Sequence, residues 1–304
     1  MKYIQISLFI ILLSNTIFAQ QDAQFSQYMY NTQVVNPAYA GSRQVLSLNG
    51  VHRSQWAGVE GAPTTQTISV NAPVSARVGL GFSVVNDKIN PSKEISSAVD
   101  FSYTIPVNDY SDTKFSFGLK GGINSLNIDY SKLNIYDPND TSFQQNVNRL
   151  SPIIGLGGYL HNDRWYIGLS VPNLLKTDYY DDIAVSSASE RVTFYAIGGY
   201  VFDLNYRLKF KPAVLFKMTS GAPLAADVSF NFLLDNKFTF GVSYRMDAAI
   251  SVLAGFQISK GLMIGYAYDF DTTEFSRYNS GSHEIFLRYE FFNKNNGKVS
   301  PRFF

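Results

Sequence analysis

Residues 224–245, LAADVSFNFLLDNKFTFGVSYR, alternate apolar and polar side chains with a period of two. Val228, Phe230, Phe232 and Leu234 share one face of an extended strand, and Asp227, Ser229, Asn231 and Leu233 share the other. Asp235-Asn236 follows, a pair that tolerates the left-handed backbone of a tight hairpin turn. Beyond it Phe238, Phe240, Val242 and Tyr244 again oppose Thr239, Gly241, Ser243 and Arg245. Two architectures produce this pattern. A soluble sandwich turns the apolar face inward. A membrane barrel turns it toward lipid and the polar face toward the lumen.

The same unit recurs along the chain. About fourteen strands are predicted, near 45–51, 64–71, 77–86, 94–105, 113–126, 151–160, 164–171, 192–202, 206–216, 225–234, 237–245, 249–258, 262–269 and 283–292. Most connections after even strands are short, as at Ala72–Ala76, His161–Asp163, Asp203–Asn205, Asp235–Asn236 and Ser259–Gly261. Most after odd strands are long: His52–Pro63, Asn127–Leu150, Pro172–Arg191 and Phe270–Ser282. Short turns at one end and long loops at the other are the mark of an outer-membrane barrel, with the short turns periplasmic. A sandwich has no reason for the asymmetry. The fold expected is all-β: a transmembrane β-barrel of about fourteen antiparallel strands over 45–292, preceded by a short non-strand segment.

Composition agrees. Charged residues are 16% of the chain, against about 25% in soluble proteins. Aromatic residues reach 15%, which suits a lipid-facing wall. The net charge of +1 gives no reason to expect a nucleic-acid partner. With no Cys, disulfides and thiolate metal sites are excluded. Residues 1–19 read as a secretory signal, with Lys2, an apolar run and Ala19, too short for a span of roughly 20 residues. Residues 20–44 lack strand alternation. Phe25, Tyr28, Met29 and Thr32 share one helical face before the breaker Asn36-Pro37, and we expect a small packed element at the barrel mouth or in the periplasm. Residues 293–304 are expected to form a periplasmic tail.

Candidate chemistry is sparse, and no catalytic, cofactor-binding or metal residues are assigned. His52 and His283 fall at outer strand ends and His161 in a periplasmic turn. Ser282-His283-Glu284 has hydrolase residue types, but strand neighbours point to opposite faces and cannot align as nucleophile and base. Asp269, Asp271 and Glu274 are read as solvated loop acids rather than a cation site. Arg77, Lys114, Lys120, Arg207, Lys209, Lys211, Arg245 and Arg288 are predicted to face the lumen, with Glu94, Asp100, Asp227, Glu284 and Glu290. Both signs occur, so the expectation is an interior filled by cross-strand pairs rather than a selective conduction path.

The opening QFSQYMYNTQVVNPAYAGS resembles the start of the PorP/SprF outer-membrane proteins of the type IX secretion and gliding system of Bacteroidetes. The likeness continues in RSQWAGVEGAPTTQTISVNAP, YDP at 136–138, GLSVPNLL at 168–175, GYAYDF at 265–270, GSHEIFLRYEF at 281–291 and the terminal PRFF. The resemblance implies a fourteen-stranded barrel without enzyme activity. It implies a role in secreting a large surface adhesin with a C-terminal sorting domain, or in holding it at the cell surface. Partners so implied are that cargo and periplasmic components of the secretion machinery. The strand reading adds a place: Arg53, Gln55 and Trp56 lie in the first outer loop, and Arg245, Tyr268 and Asp269 at outer strand ends. Closure makes the first and last outer loops neighbours, and these residues are expected to dock the cargo. The alternative is a channel for small apolar substrates, with residues 21–42 as a hatch in its lumen.

Overall fold

The computed structural model describes residues 24–108, 112–133, 146–175 and 192–292. Their strands are β1 (Leu46–Ser54), β2 (Thr64–Pro73), β3 (Val78–Ile89), β4 (Ser92–Pro106), β5 (Lys114–Ile128), β6 (Val147–His161), β7 (Trp165–Val171), β8 (Thr193–Tyr200), β9 (Phe202–Asp203), β10 (Leu208–Thr219), β11 (Ala225–Leu234), β12 (Phe238–Arg245), β13 (Ala249–Gln257), β14 (Leu262–Asp271) and β15 (Ser282–Phe291). β8 and the two-residue β9 are one wall strand interrupted at Val201, because both pair with β10. The wall therefore has fourteen members, as expected.

Every neighbour along the wall pairs antiparallel, and β15 returns to β1 with Leu46 opposite Phe291 and Ser54 opposite His283. Closure leaves no sheet edge to aggregate. The alternation resolves in favour of lipid. β12 reads exposed–buried throughout, with Phe238, Phe240, Val242 and Tyr244 outward and Thr239, Gly241, Ser243 and Arg245 inward. Ile68, Leu169 and Ile167 are each more than half exposed on the outer face. A soluble protein would not leave such a continuous apolar belt in water.

Turns at one end are short, and Asp235 and Asn236 hold φ of 51° and 52°, the mirror-image hairpin geometry that their sequence favours. The longest connections, 129–146 and 172–192, leave the other end, as do 55–63 and 272–281. Three connections at that end, 90–91, 220–224 and 246–248, are short as well.

The main departure concerns residues 24–44. The sequence predicts a place at the barrel mouth or in the periplasm; the structure carries them along the lumen. Three short helical turns, Tyr28–Tyr30, Thr32–Val35 and Pro37–Tyr39, pack Phe25, Tyr28, Met29, Tyr30, Val35, Ala38 and Tyr39 inside the barrel. The wall meets them with Tyr159, Tyr166, Tyr195, Leu215, Leu233, Met263 and Phe286. The core of this protein is thus the inside of a membrane barrel.

Candidate functional site: the filled lumen and its outer mouth

The described lumen segment begins at the long-loop end and is gripped there by buried charge. Arg53 of β1 reaches Asp269 of β14 at 2.7 Å and Glu284 of β15 at 3.3 Å. Its guanidinium also donates to Ser26 Oγ at 2.8 Å. Glu284 accepts the backbone N–H groups of Ser26 and Gln27, each at 2.8 Å. Beside this, Arg245 pairs with Asp227 at 2.8 Å and donates to the carbonyl of Phe25 at 3.2 Å and the side-chain oxygen of Gln24 at 3.1 Å. Buried ions this close satisfy one another's charge and hold the segment's otherwise unpaired backbone.

Further in, the contacts are mostly neutral. Gln33 donates to Asp100 at 3.0 Å, and Asp100 pairs with Lys120 at 3.1 Å. Ser170 Oγ donates to the Val35 carbonyl at 2.7 Å, and Asn36 Nδ2 to the Gly158 carbonyl at 3.1 Å. Near the short-turn end Ser102 Oγ donates to Ala40 at 2.6 Å, and Arg43 pairs with Glu290. Two wall glycines make room. A Cβ on Gly118 would lie 2.1 Å from Ala38 N, and one on Gly79 2.2 Å from the Ala40 carbonyl oxygen. No side chain fits at either point, so the segment rests directly on the wall backbone.

Above the segment lies a cavity of about 530 Å³, lined among others by Gln24, Arg53, Gln55, Trp56, Arg245 and Asp269. Five of the six expected docking residues therefore converge. They do so in two layers. Arg53, Asp269 and Arg245 are buried and hold the lumen segment. Gln55 and Trp56 are partly exposed at the rim. Tyr268 lies on the other face of β14, packing on His283 and Phe270 and donating to the Ser280 carbonyl at 2.8 Å. The first and last outer loops do meet. Trp56 packs edge-on against Phe275, with centroids 4.9 Å apart, and Ala57 N–H donates to the Gly281 carbonyl at 2.8 Å.

Other expectations are refined. Arg77 and Arg207, expected in the lumen, stand exposed in turns at the short-turn end, where the inward face has ended; Arg207 pairs there with Asp235 at 2.6 Å. That pairing, chiefly its hydrogen bonds, holds the Asp235 carboxyl below the usual range. Lys114, Lys209 and Glu94 are only half-buried. His161 is the last residue of β6 rather than part of a turn, buried against Tyr159. Glu284 faces in and His283 out, where its ring meets the Tyr266 hydroxyl at 2.6 Å. Asp271 accepts from Thr273 and Asn279 while Asp269 is taken by Arg53, and no metal-binding cluster occurs among the described residues. The motif at 136–138, the PRFF tail and the signal region lie outside the described residues.

Comparison with known proteins adds to this geometry. The family model for the type IX secretion system membrane protein PorP/SprF matches residues 17–289. No curated protein matches. Among solved structures, the CymD monoaromatic hydrocarbon channel is 12% identical with a TM-score of 0.51, over 87% of this chain and 93% of that one. The Ralstonia pickettii toluene transporter TbuX is 10% identical with a TM-score of 0.49, over 84% and 92%. A Pseudomonas aeruginosa FadL homologue is 14% identical with a TM-score of 0.44, over 82% and 89%. At such identities the likeness is one of fold alone.

Proposed function

Because the chain belongs to the PorP/SprF family of type IX secretion system membrane proteins and forms an outer-membrane barrel, we propose that it serves one surface protein as a docking platform. The cargo is an adhesin with a C-terminal sorting domain, which the barrel helps to export or retains at the cell surface. One observation carries this reading. The lumen is occupied by the chain's own residues 24–44, tied to the wall by the buried Arg43–Glu290 ion pair at the short-turn end and by hydrogen bonds to buried charged side chains at the other. A barrel so filled works through its outer surface. The rim around Gln55 and Trp56 supplies an aromatic anchor beside a cavity, the kind of feature that dominates protein interfaces. Arg53, Arg245 and Asp269 act beneath it by fixing the floor on which the cargo rests. The short-turn end is left for periplasmic components of the machinery.

The test replaces Gln55 and Trp56 with Ala and leaves the buried layer intact. Heat-modifiable gel mobility reports barrel assembly, and fractionation of cells and medium reports cargo. We expect an assembled barrel with cargo shed into the medium. Unchanged retention rejects docking at this rim. Steady ion conductance of the unaltered barrel in planar bilayers would instead favour the channel reading.

A further inference from the structure

A second cavity, of about 410 Å³, lies between the first outer loop and the outer ends of β1, β2 and β3. Ser54, Thr64 and Lys88 stand directly opposite one another on those strands and form its base. Their strand neighbours Arg53 and Thr65 are buried toward the lumen, so this row looks away from it. The same outward face carries His52, Gln66 and Asn86 one row nearer the membrane, and then Gly50, Ile68 and Val84. Ile68 is 64% exposed and belongs to the apolar belt. From Ile68 to Thr64 is four residues, about 14 Å of strand or about 10 Å of height at the usual tilt. The cavity therefore sits outside the barrel, just beyond the hydrocarbon, at the level of the outer-leaflet headgroups.

The lining is polar. Gln55 and Asn90 bring side-chain amides, Ser54 and Thr64 hydroxyls, Glu60 a carboxylate and Lys88 an ammonium. None of these six side chains makes a hydrogen bond or ion pair among the described residues. The last outer loop differs, for there Asp271 accepts from Thr273 and Asn279. Trp56 adds an aromatic wall, partly exposed and shared with the larger cavity. An acyl chain or apolar side chain placed here would strand these polar groups. One acid and one base leave no excess charge to hold a multivalent ion. A neutral polyhydroxylated molecule matches the lining. Each of its hydroxyls both donates and accepts, as amides and hydroxyls of the protein do, and the C–H face of a sugar ring packs on an indole.

We infer that this cavity binds the saccharide headgroup of an outer-leaflet glycolipid. Gln55, Glu60 and Asn90 engage the sugar hydroxyls, Trp56 takes a ring face, and the acyl chains stay in the bilayer against the belt below. The inference does not rest on the docking reading. Gln55 and Trp56 line both cavities, but Glu60, Lys88 and Asn90 line this one and not the larger.

The chain has two tryptophans, Trp56 and Trp165, so Trp165→Phe leaves an emission that reports this cavity. That full chain, in detergent, is titrated with the water-soluble oligosaccharide released by mild acid from the lipopolysaccharide of the same cells. The emission should shift and saturate, and calorimetry on the unaltered chain should give the same affinity without any substitution. Glu60→Ala combined with Asn90→Ala should weaken binding about tenfold, with the barrel assembled by heat-modifiable gel mobility. No saturable binding to the unaltered chain overturns the proposal, and needs no variant to fold. Equal binding by the doubly altered chain also overturns it, because the sugar then sits elsewhere. So does an emission shift given by the cargo's sorting domain and not by the oligosaccharide, which would assign the cavity to a protein partner. Cargo retention does not enter the sugar titration, so the two readings fail separately.

Discussion

Replacing Arg53 with Met tests the idea that the lumen segment is held by buried charge. The guanidinium is the cation in contact with both Asp269 and Glu284, whose side chains are 4% and 1% exposed. Removing one partner of a buried ion pair costs roughly 3–5 kcal/mol, because the remaining charge stays buried. Glu284 keeps its two backbone N–H donors from Ser26 and Gln27, so we place Arg53→Met near the lower bound, at about 3 kcal/mol. Glu284→Gln leaves one of those two N–H groups without a carboxylate oxygen and should cost about 1–3 kcal/mol. The double variant removes one charge of each sign, so its cost should fall short of the sum. Urea unfolding in lipid vesicles, followed by gel mobility and tryptophan fluorescence, supplies the three free energies. Trp56 packs on Phe275 in the first outer loop next to Arg53 and should report local loosening first. A cost below about 1 kcal/mol for Arg53→Met is what a solvent-exposed pair shows, and it would refute the buried latch. So would strict additivity.

Two further outcomes follow from other parts of the molecule. Gly118→Val places a side chain where Ala38 N would be 2.1 Å from Cβ; overpacking of this kind costs about 1–3 kcal/mol. It should displace the Pro37–Tyr39 turn and raise conductance in planar bilayers above that of the unaltered barrel, whereas unchanged conductance and equal stability contradict the seat. Asp129, just beyond β5, accepts hydrogen bonds from Ser131 and pairs with Lys132, which holds its carboxyl down at about 2. Its support for the Tyr130–Lys132 turn is therefore complete above the ordinary carboxylate range and lost as pH falls through about 2. The Asp129 carboxyl carbon should titrate near that value by NMR, and an ordinary carboxylate midpoint would contradict it.

Much of the wall could be read from the chain because lipid and lumen impose opposite chemistry on alternate residues. Alternation predicts a strand over 225–234, and β11 spans Ala225–Leu234. Errors lie where that contrast fades. Strand β6 begins at Val147 rather than 151, since Asn148, Arg149 and Leu150 continue the ladder to β5 with no apolar rhythm to mark it. The break at Val201 has no signal in the sequence, because an interrupted strand keeps its composition. Charge pairs were invisible for another reason. Arg53 and Glu284 are 231 residues apart, and only closure of the barrel brings β1 to β15.

The path of residues 24–44 left a trace that alternation alone misreads. Leu233 stands on the face of Asp227, Ser229 and Asn231, and Phe286 on that of Glu284, Arg288 and Glu290. In an empty, water-filled lumen such side chains would face solvent, at a cost of roughly 1.5–3 kcal/mol each relative to burial. They are instead 7% and 1% exposed, and the Phe286 ring stacks on Tyr30 with centroids 4.3 Å apart. Met263, Leu215 and the inward tyrosines Tyr159, Tyr166 and Tyr195 repeat the exception on other strands. Apolar residues on the polar face of a barrel need something inside to cover them. Here a described segment without a strand pattern, carrying Phe25, Tyr28, Met29, Tyr30, Val35 and Tyr39, lies directly before β1. Exceptions to the wall's alternation thus carry the information about the lumen's contents, as its regularity carries the information about the membrane.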